Sequence, residues 1–485
     1  MKITLSTLSM SYLSGAPLYN HSLAIELKRL GHEVTVYSDF TGPLTGASGY
    51  RLKQDLELNG VLCVQRGTQL PEQDLFIVSE TISDELLLSQ PNTPALVVVH
   101  SEYEYETPLT DRPQILKYIC IRPSIMEHII REHSIPPEKC VVIYNGVDRN
   151  RFQKRNKTKR DYYKVVVPCT LDTLREPFLN LLIDGASKDR RIFFYGFDCG
   201  AKLHPSEWVT INPDTFDIQD EIADADEVAG ILLGRVNLEA WSCGVDSSIY
   251  DPVSLIGKVY PPPKDFDEKH NIRNVASKIL KLIKNLDDIT VVIPHHDQRE
   301  KLRWCLESLS GVKHIQIYKG GTFAHNLNKA VPETDIFLFL NDDTVVDIRS
   351  TLMGMMTLLD GSDIVGCNLS SGCNGFNLVD GQLEEVVDPS MSVRWPSGAV
   401  LMMRADTFKE VGGFDEGFVN GCEDIDFFLR AEKKGKTFGK YTSGVITHNE
   451  GSSTGRYDHL NSNIELFNNK WKGVCQIKSV TSLEV

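Results

Sequence analysis

The chain has 485 residues, of which 41% are hydrophobic and 24% charged, with a formal net charge of -15. That length accommodates about three globular domains, and so acidic a chain lacks the excess cations needed by a protein built to neutralise nucleic-acid phosphates. The 11 cysteines form no CxxC pair, which argues against a zinc ribbon or a disulfide framework and for a reduced, cytoplasmic setting.

The opening, "MKITLSTLSMSYLSGAPLYNH", has neither the charged start nor the long apolar core of a signal peptide. No apolar run reaches the length of a membrane span, so any membrane contact is expected at the surface only. "KITLSTLS" and "EVTVYSD" read as strands flanking a half-buried helix, "PLYNHSLAIELKRLGH", and "LFIVS", "ALVVVH", "YICI" and "CVVIYNG" add further strands. This alternation predicts a parallel sheet.

A basic stretch, "RNRFQKRNKTKR" at 149–160, reads as a solvated linker. Beyond it a second α/β set runs from "YKVVVPCT" through "EPFLNLLIDGA", "RIFFYGF", "WVTI", "AGILLG" and "NLEAWSCG" to "KVYPPPKDFD", whose prolines end it. The amphipathic "NIRNVASKILKLIKNL" is expected to be the hinge to a third set, which opens with the strand and helix of "DDITVVIPHHDQREKLRWCLESL". Expected boundaries are 1–155, 156–285 and 286–485.

In the third set the apolar run Ile336–Leu340 leads straight into Asn341, Asp342 and Asp343. The run reads as a strand buried on both faces, which puts the acids at its carboxyl end, where open α/β sheets place ligands. Two carboxylates there suit a hard divalent cation shared with substrate phosphates; a plain polar turn is the alternative. A second cluster, Glu423, Asp424 and Asp426, opens a helix with an aromatic face, "CEDIDFFLRAEKKG". These acids serve either as caps favoured by the helix dipole or, in part, as a base for an incoming hydroxyl.

"NDDT", "WPSGAVLMMRADTFKEVGGFDEGFVNGCEDIDFFLRAEKKG" and "GVITHNEGSS" together resemble the inverting nucleotide-sugar transferases of glycosyltransferase family two, of GT-A fold and rhamnosyltransferase type, over about residues 288–460. The resemblance implies Asp343 and His448 as metal ligands, with manganese or magnesium as the ion, and Asp424 paired with Glu423 as catalytic base. It implies a donor site at Pro294, His295, Asn326, Asn341, Asp342, Trp395, Ser397, Gly398 and Ala399, and an acceptor-side turn at Asp415 and Glu416. The family's base-contacting acid after the second strand is replaced here by Tyr318 and Lys319.

"SGAPLYNHSLAIELKRLGHEVTVYS", "VVVHSEYE", "VVIYNGVDRNRF" and "NLEAWSCGVDSS" resemble glycosyltransferase family four, of GT-B fold, over about residues 1–285. That resemblance implies Gly15 as part of a donor loop, His100 as a cleft histidine, Arg175 as a remnant of the diphosphate clamp and Glu239 as the second glutamate of the donor motif. Ile231 stands where the first glutamate belongs, and an apolar side chain cannot bond a sugar hydroxyl. His100 reads equally well as a structural strand-end histidine.

The expected fold class is therefore α/β, with two Rossmann-like GT-B-type domains followed by a GT-A domain. The expected activity is sugar transfer from a nucleoside-diphosphate sugar to a glycan, lipid-linked or protein hydroxyl, metal-dependent and inverting, without a nucleic-acid partner. The GT-B module is expected to be weakened rather than a second transferase. The alternatives are a glycan-binding scaffold without turnover, transfer through the GT-B module alone, or a nucleotide-sugar hydrolase.

Overall fold

The computed structural model describes residues 1–485 except 12, 42–46, 80–82, 103–110, 113, 232, 284–285, 297, 348–350, 450–457 and 478–485. The ends of two quoted motifs, at 103–104 and 450–453, therefore lie outside the described residues. The chain divides into two compact units: Met1–Gln90, Ala95–Leu109 and Lys117–Lys281 form the first, and Leu282–Val485 with Pro91–Pro94 and Thr110–Leu116 form the second.

The first unit begins with β1 (Lys2–Ser9), α1 (Gly15–Arg29), β2 (Glu33–Asp39), α2 (Ala47–Leu58), β3 (Leu62–Gln65), β4 (Leu75–Ser79), α3 (Ser83–Ser89), β5 (Ala95–Val99), β6 (Ile115–Cys120), α4 (Pro123–Glu132) and β7 (Cys140–Val142). The strands make one sheet in the order β3-β2-β1-β4-β5-β6-β7. Every residue of β4 and β5 is buried, which is why both read as unbroken apolar runs.

A second sheet follows from β8 (Tyr163–Pro168), β9 (Leu171–Asp172), α5 (Glu176–Asp184), β10 (Arg190–Tyr195), β11 (Asp198–Cys199), β12 (Val209–Asn212), α6 (Ile218–Asp224), β13 (Glu227–Ile231), α7 (Arg235–Ser242), β14 (Asp246–Tyr250) and β15 (Gly257–Tyr260). Its order is β12-β10-β8-β13-β14-β15, with β9 and β11 paired separately. Each large sheet reverses its winding beside its own first strand, β1 against β4 and β8 against β13, which is the doubly wound plan of the Rossmann type. The expected α/β class with two such halves is borne out.

One expectation is refined here and one corrected. The basic stretch is an exposed link between the two sheets, as expected, but it is pinned along its length: Arg155 pairs with Asp220 at 2.6 Å, Arg160 with Asp226 at 2.7 Å, and the Thr158 N–H donates to Asp224 at 2.7 Å, while nearby Lys164 reaches Glu221 and Asp224. After α8 (Phe266–His270) comes the supposed hinge helix, α9 (Ile272–Lys281), and it belongs to the first unit. It packs on α1, and Val147 bridges to Asn271 at its start. Ile272 lies so close over Gly146 that a Cβ there would come within 2.9 Å of backbone.

The second unit contains β16 (Ile289–His295), α10 (Arg299–Ser308), β17 (His314–Lys319), α11 (Phe323–Asn328), β18 (Ile336–Leu340), β19 (Thr344–Val345), α12 (Met353–Leu358), β20 (Ile364–Leu369), β21 (Gly375–Val379), β22 (Gln382–Val386), β23 (Trp395–Pro396), β24 (Val400–Arg404), α13 (Ala405–Val411), α14 (Glu423–Lys433), β25 (Phe438–His448) and α15 (Leu460–Lys470). The main sheet runs β17-β16-β18-β24-β20-β25-β19, with a small sheet β22-β21-β23 beside it. β18 is parallel to β16 and antiparallel to β24. Its side chains alternate between two cores: Phe337 and Phe339 join one, and Ile336, Leu338 and Leu340 the other. Phe339 meets Phe408 at 4.9 Å between ring centroids and Phe414 meets Phe427 at 4.7 Å, so an aromatic stack ties β18 to α14. No helix among the described residues is long and apolar enough to cross a membrane.

Candidate active site

At the carboxyl end of β18 the chain turns sharply. The Asn341 N–H donates to the Ala399 carbonyl at 3.0 Å, and Thr344 Oγ1 closes the turn on the Asn341 carbonyl at 2.7 Å. β19 then pairs Thr344 with His448 at the end of β25. That pairing brings His448 Nε2 to 3.4 Å from Asp343 Oδ1. Asp343 is 9% exposed and His448 5%. Asp343 Oδ1 and both His448 ring nitrogens are buried without a hydrogen-bond partner, a costly state for polar atoms. Two such groups facing one another fit a hard divalent cation. Among the described residues no group of three or more His, Cys, Asp or Glu forms a metal cage, so the pair suits an ion that takes its other ligands from water and substrate phosphate.

Asp342 points elsewhere. Its Oδ2 lies 2.6 Å from Nδ1 of His295, the last residue of β16. Burial pushes the Asp342 carboxyl above the usual range, and His295 opposes that shift without cancelling it. Pro294 sits beside it on β16, opposite Tyr318 of β17. Asn326 on α11 is 3% exposed; its Nδ2 donates to the Gly321 carbonyl at 3.3 Å while its Oδ1 has no partner.

The acids of α14 divide by role. Asp426 is fully buried and tied to Arg430, Trp471 Nε1 and Lys470 at 2.8, 2.9 and 2.7 Å, so it is a structural anchor. Glu423 folds back to accept the Gly421 N–H at 2.5 Å. Asp424 lies against Gly398 so closely that a Cβ at 398 would sit 2.6 Å from the Asp424 Cβ and nearer still to Oδ2. Gly398 precedes Ala399, whose carbonyl holds the Asn341 N–H, so one short segment before β24 touches both Asp424 and the turn after β18. Ser397 is 7% exposed, with Oγ accepting the Ala399 N–H at 3.4 Å. The Cys422 thiol is pushed up to about 12 by burial and then by the surrounding carboxylates, which leaves no thiolate nucleophile at neutral pH.

Three expected site residues are placed differently. Trp395 is fully buried in the apolar core and exposes no face to a ligand. Asp415 is engaged by Lys470 at 2.5 Å and the Gly417 N–H at 2.9 Å. Glu416 is engaged by His325 at 2.8 Å and Asn328 at 3.0 Å. The "FDE" turn thus braces α11 and α15, while the Asp415 and Glu416 side chains stay 37% and 48% exposed.

In the first unit Gly15 opens α1 with open space where a Cβ would stand. His100 Nε2 lies 3.3 Å from Ser79 Oγ, with its ring edge-on to Tyr19; burial, then Arg235, lowers its pKa to about 4, so it is neutral at pH 7. Arg175 is spent on Asp172, three residues earlier. Glu239 is 4% exposed and bound by Arg235 Nε at 2.8 Å. The same guanidinium donates to Ser22 Oγ at 2.9 Å and to the Gly146 carbonyl at 3.4 Å. The glutamate expected to meet a donor is thus held by the chain's own arginine, a partner the sequence reading missed although the four-residue spacing on a helix signals it.

Comparison with known proteins bears out the glycosyltransferase resemblance. Residues 385–461 match a family described as the N-terminal domain of galactosyltransferase. N-acetylglucosaminyl-diphospho-decaprenol L-rhamnosyltransferase of Mycobacterium tuberculosis is 38% identical over 74 residues, 15% of this chain and 24% of that one. The chain thus spans about a quarter of the length of the curated relatives it matches. Among solved structures, Anabaena HepE in complex with UDP and glucose is 14% identical with a TM-score of 0.44, covering 58% of this chain and 98% of that one. A glycosyltransferase of Rickettsia africae is 16% identical with a TM-score of 0.40, covering 58% and 87%.

Proposed function

We propose that the second unit transfers a sugar from a nucleoside-diphosphate sugar to an acceptor hydroxyl in one inverting displacement. The observation that carries this reading is the facing pair of buried groups without a hydrogen-bond partner, Asp343 Oδ1 and His448 Nε2; the Asp424 carboxylate, which lies against Gly398, is taken as the base. A manganese or magnesium ion held by Asp343 and His448 would supply charge stabilisation to the departing diphosphate. His295, Asp342, Asn341 and Asn326 line the donor side of the strand ends. The acceptor oxygen attacks the anomeric carbon while the bond from that carbon to the diphosphate oxygen breaks. The hydroxyl proton passes to Asp424, and the diphosphate leaves with the bonding electrons. Attack opposite the leaving group inverts the anomeric centre.

In the same proposal the chain acts in three parts, 1–155, 156–285 and 286–485, in the cytoplasm. The first two form a glycan-holding module rather than a second transferase, a reading supported by the Arg235–Glu239 pair and by Ile231. A lipid-linked glycan is the favoured acceptor, as in the name of the mycobacterial relative. The test is the anomeric configuration of the product by NMR, with wild type and Asp424→Asn. Inverted product that disappears in the variant supports the reading. Retained configuration, or full activity of the variant, overturns it.

A further inference from the structure

The segment that delivers Asp424 is strained and depends on neighbours to hold it. Asn420 and Cys422, immediately before α14, have φ of 55° and 71°, left-handed values uncommon for residues with side chains and more strained for cysteine than for asparagine. Such a turn persists only when surrounding contacts over-determine it. Asn463 on α15 is 3% exposed and commits its whole amide to one residue: Nδ2 donates to the Val419 carbonyl at 2.8 Å, and Oδ1 accepts the Val419 N–H at 3.1 Å. Asn420 accepts the Phe323 N–H at 2.9 Å, tying the turn to α11. Trp471 and Lys470 fix α15 to α14 through Asp426. From the opposite side Gly398 supplies a bare backbone on which the Asp424 carboxylate rests.

We infer that Asn463 and Gly398 are positioning residues for Asp424, the asparagine clamping the turn from behind and the glycine forming its seat. This rests on the reading of Asp424 as the base. Asn463 acts from behind the turn, and Gly398, which the resemblance places in the donor site, acts here through the carboxylate it seats. Any side chain at 398 displaces the carboxylate from its seat, and loss of the Asn463 amide leaves the Val419 peptide unsatisfied and the turn free to relax. Because a base misplaced by about 1 Å can cost on the order of 100-fold in rate, the effect belongs in kcat rather than in donor binding.

The experiment uses the full-length chain. Gly398→Ala, Asn463→Ala and Asp424→Asn are compared with wild type for kcat and donor KM, for affinity towards UDP with manganese by titration, and for thermal melting. The expected result is a fall in kcat of about 10- to 100-fold in Gly398→Ala and Asn463→Ala, with donor KM and UDP affinity within about twofold of wild type. An inactive Asp424→Asn alongside a Gly398→Ala of normal kcat would overturn the positioning role and leave the base assignment standing. Full activity in Asp424→Asn would remove the base assignment itself. Parallel loss of kcat and UDP affinity would mark the residues as supports of the fold or, for Gly398, as a donor contact, and would also overturn the inference. Should Asn463→Ala fail to fold, Gly398→Ala decides.

Discussion

Replacing Glu239 by alanine tests the closed polar cluster of the first unit. The Arg235 and Glu239 side chains are 6% and 5% exposed and lie 2.8 Å apart, so removing the carboxylate leaves a guanidinium buried without its counter-charge. Breaking one side of such a pair costs about 3–5 kcal/mol, whereas replacing both members by apolar residues of similar volume is often near neutral. The bonds to Ser22 and Gly146 persist in Glu239→Ala and soften the loss, so about 3 kcal/mol is expected. Arg235→Leu combined with Glu239→Leu should recover most of it. Because the chain has two units, the assay has to report on one of them: urea-dependent amide exchange of α1 and α7 does so without assuming a single transition for the whole chain. A loss below about 1 kcal/mol in Glu239→Ala would refute the view that the pair is a desolvated clasp.

Acid should loosen the same unit at another place. Although burial works to raise them, Lys164 with Thr158 holds Asp224, and Lys164 with Arg160 holds Asp226, below the usual carboxylate range. Groups with depressed folded pKa values stabilise above their unfolded values and lose that contribution as pH falls through the folded ones. The melting temperature of the first unit should therefore be level from about pH 7 to 5 and decline below about pH 4; a level profile down to pH 2 would contradict the pairing. Phe339→Ala removes a fully buried ring from the stack joining β18 to α14 and should cost about 3–5 kcal/mol on urea unfolding of the second unit. Brief alkylation at pH 8 should label exposed Cys199 well before buried Cys305, whose thiol burial pushes up to about 12; mass spectrometry of the digested protein reads the order.

What could be read from the sequence follows how burial writes itself into residues. Ile336–Leu340 was legible because a strand covered on both faces needs apolar side chains at every position, and the acids after it stand out by contrast. α14 was legible because its acids precede an aromatic stripe. α15 was not: its buried positions are Asn463, Ile464 and Phe467, and a buried asparagine that clamps backbone looks in the sequence like one more surface residue. The basic stretch at 149–160 showed its own charge but not its partners, since the acids in and just after α6 that pair with it lie some sixty residues further along. Trp395, Asp415 and Glu416 lie in one quoted motif, but the sequence does not show that the tryptophan is fully buried or that the two acids pair with α15 and α11. A motif match gives register, whereas which side chains point at the ligand depends on packing from elements far off in the chain.

We propose the end of β18 as the place of chemistry, with Asp343 and His448 as the metal-holding pair. The most direct measurement is release of nucleoside diphosphate from a panel of nucleotide sugars, with and without manganese, by the full-length chain and its Asp343→Asn variant. Manganese-dependent release by wild type should fall at least about 100-fold in the variant, a loss of about 2.7 kcal/mol or more in transition-state stabilisation. Release at the wild-type rate by Asp343→Asn would contradict it and move the chemistry to the first unit.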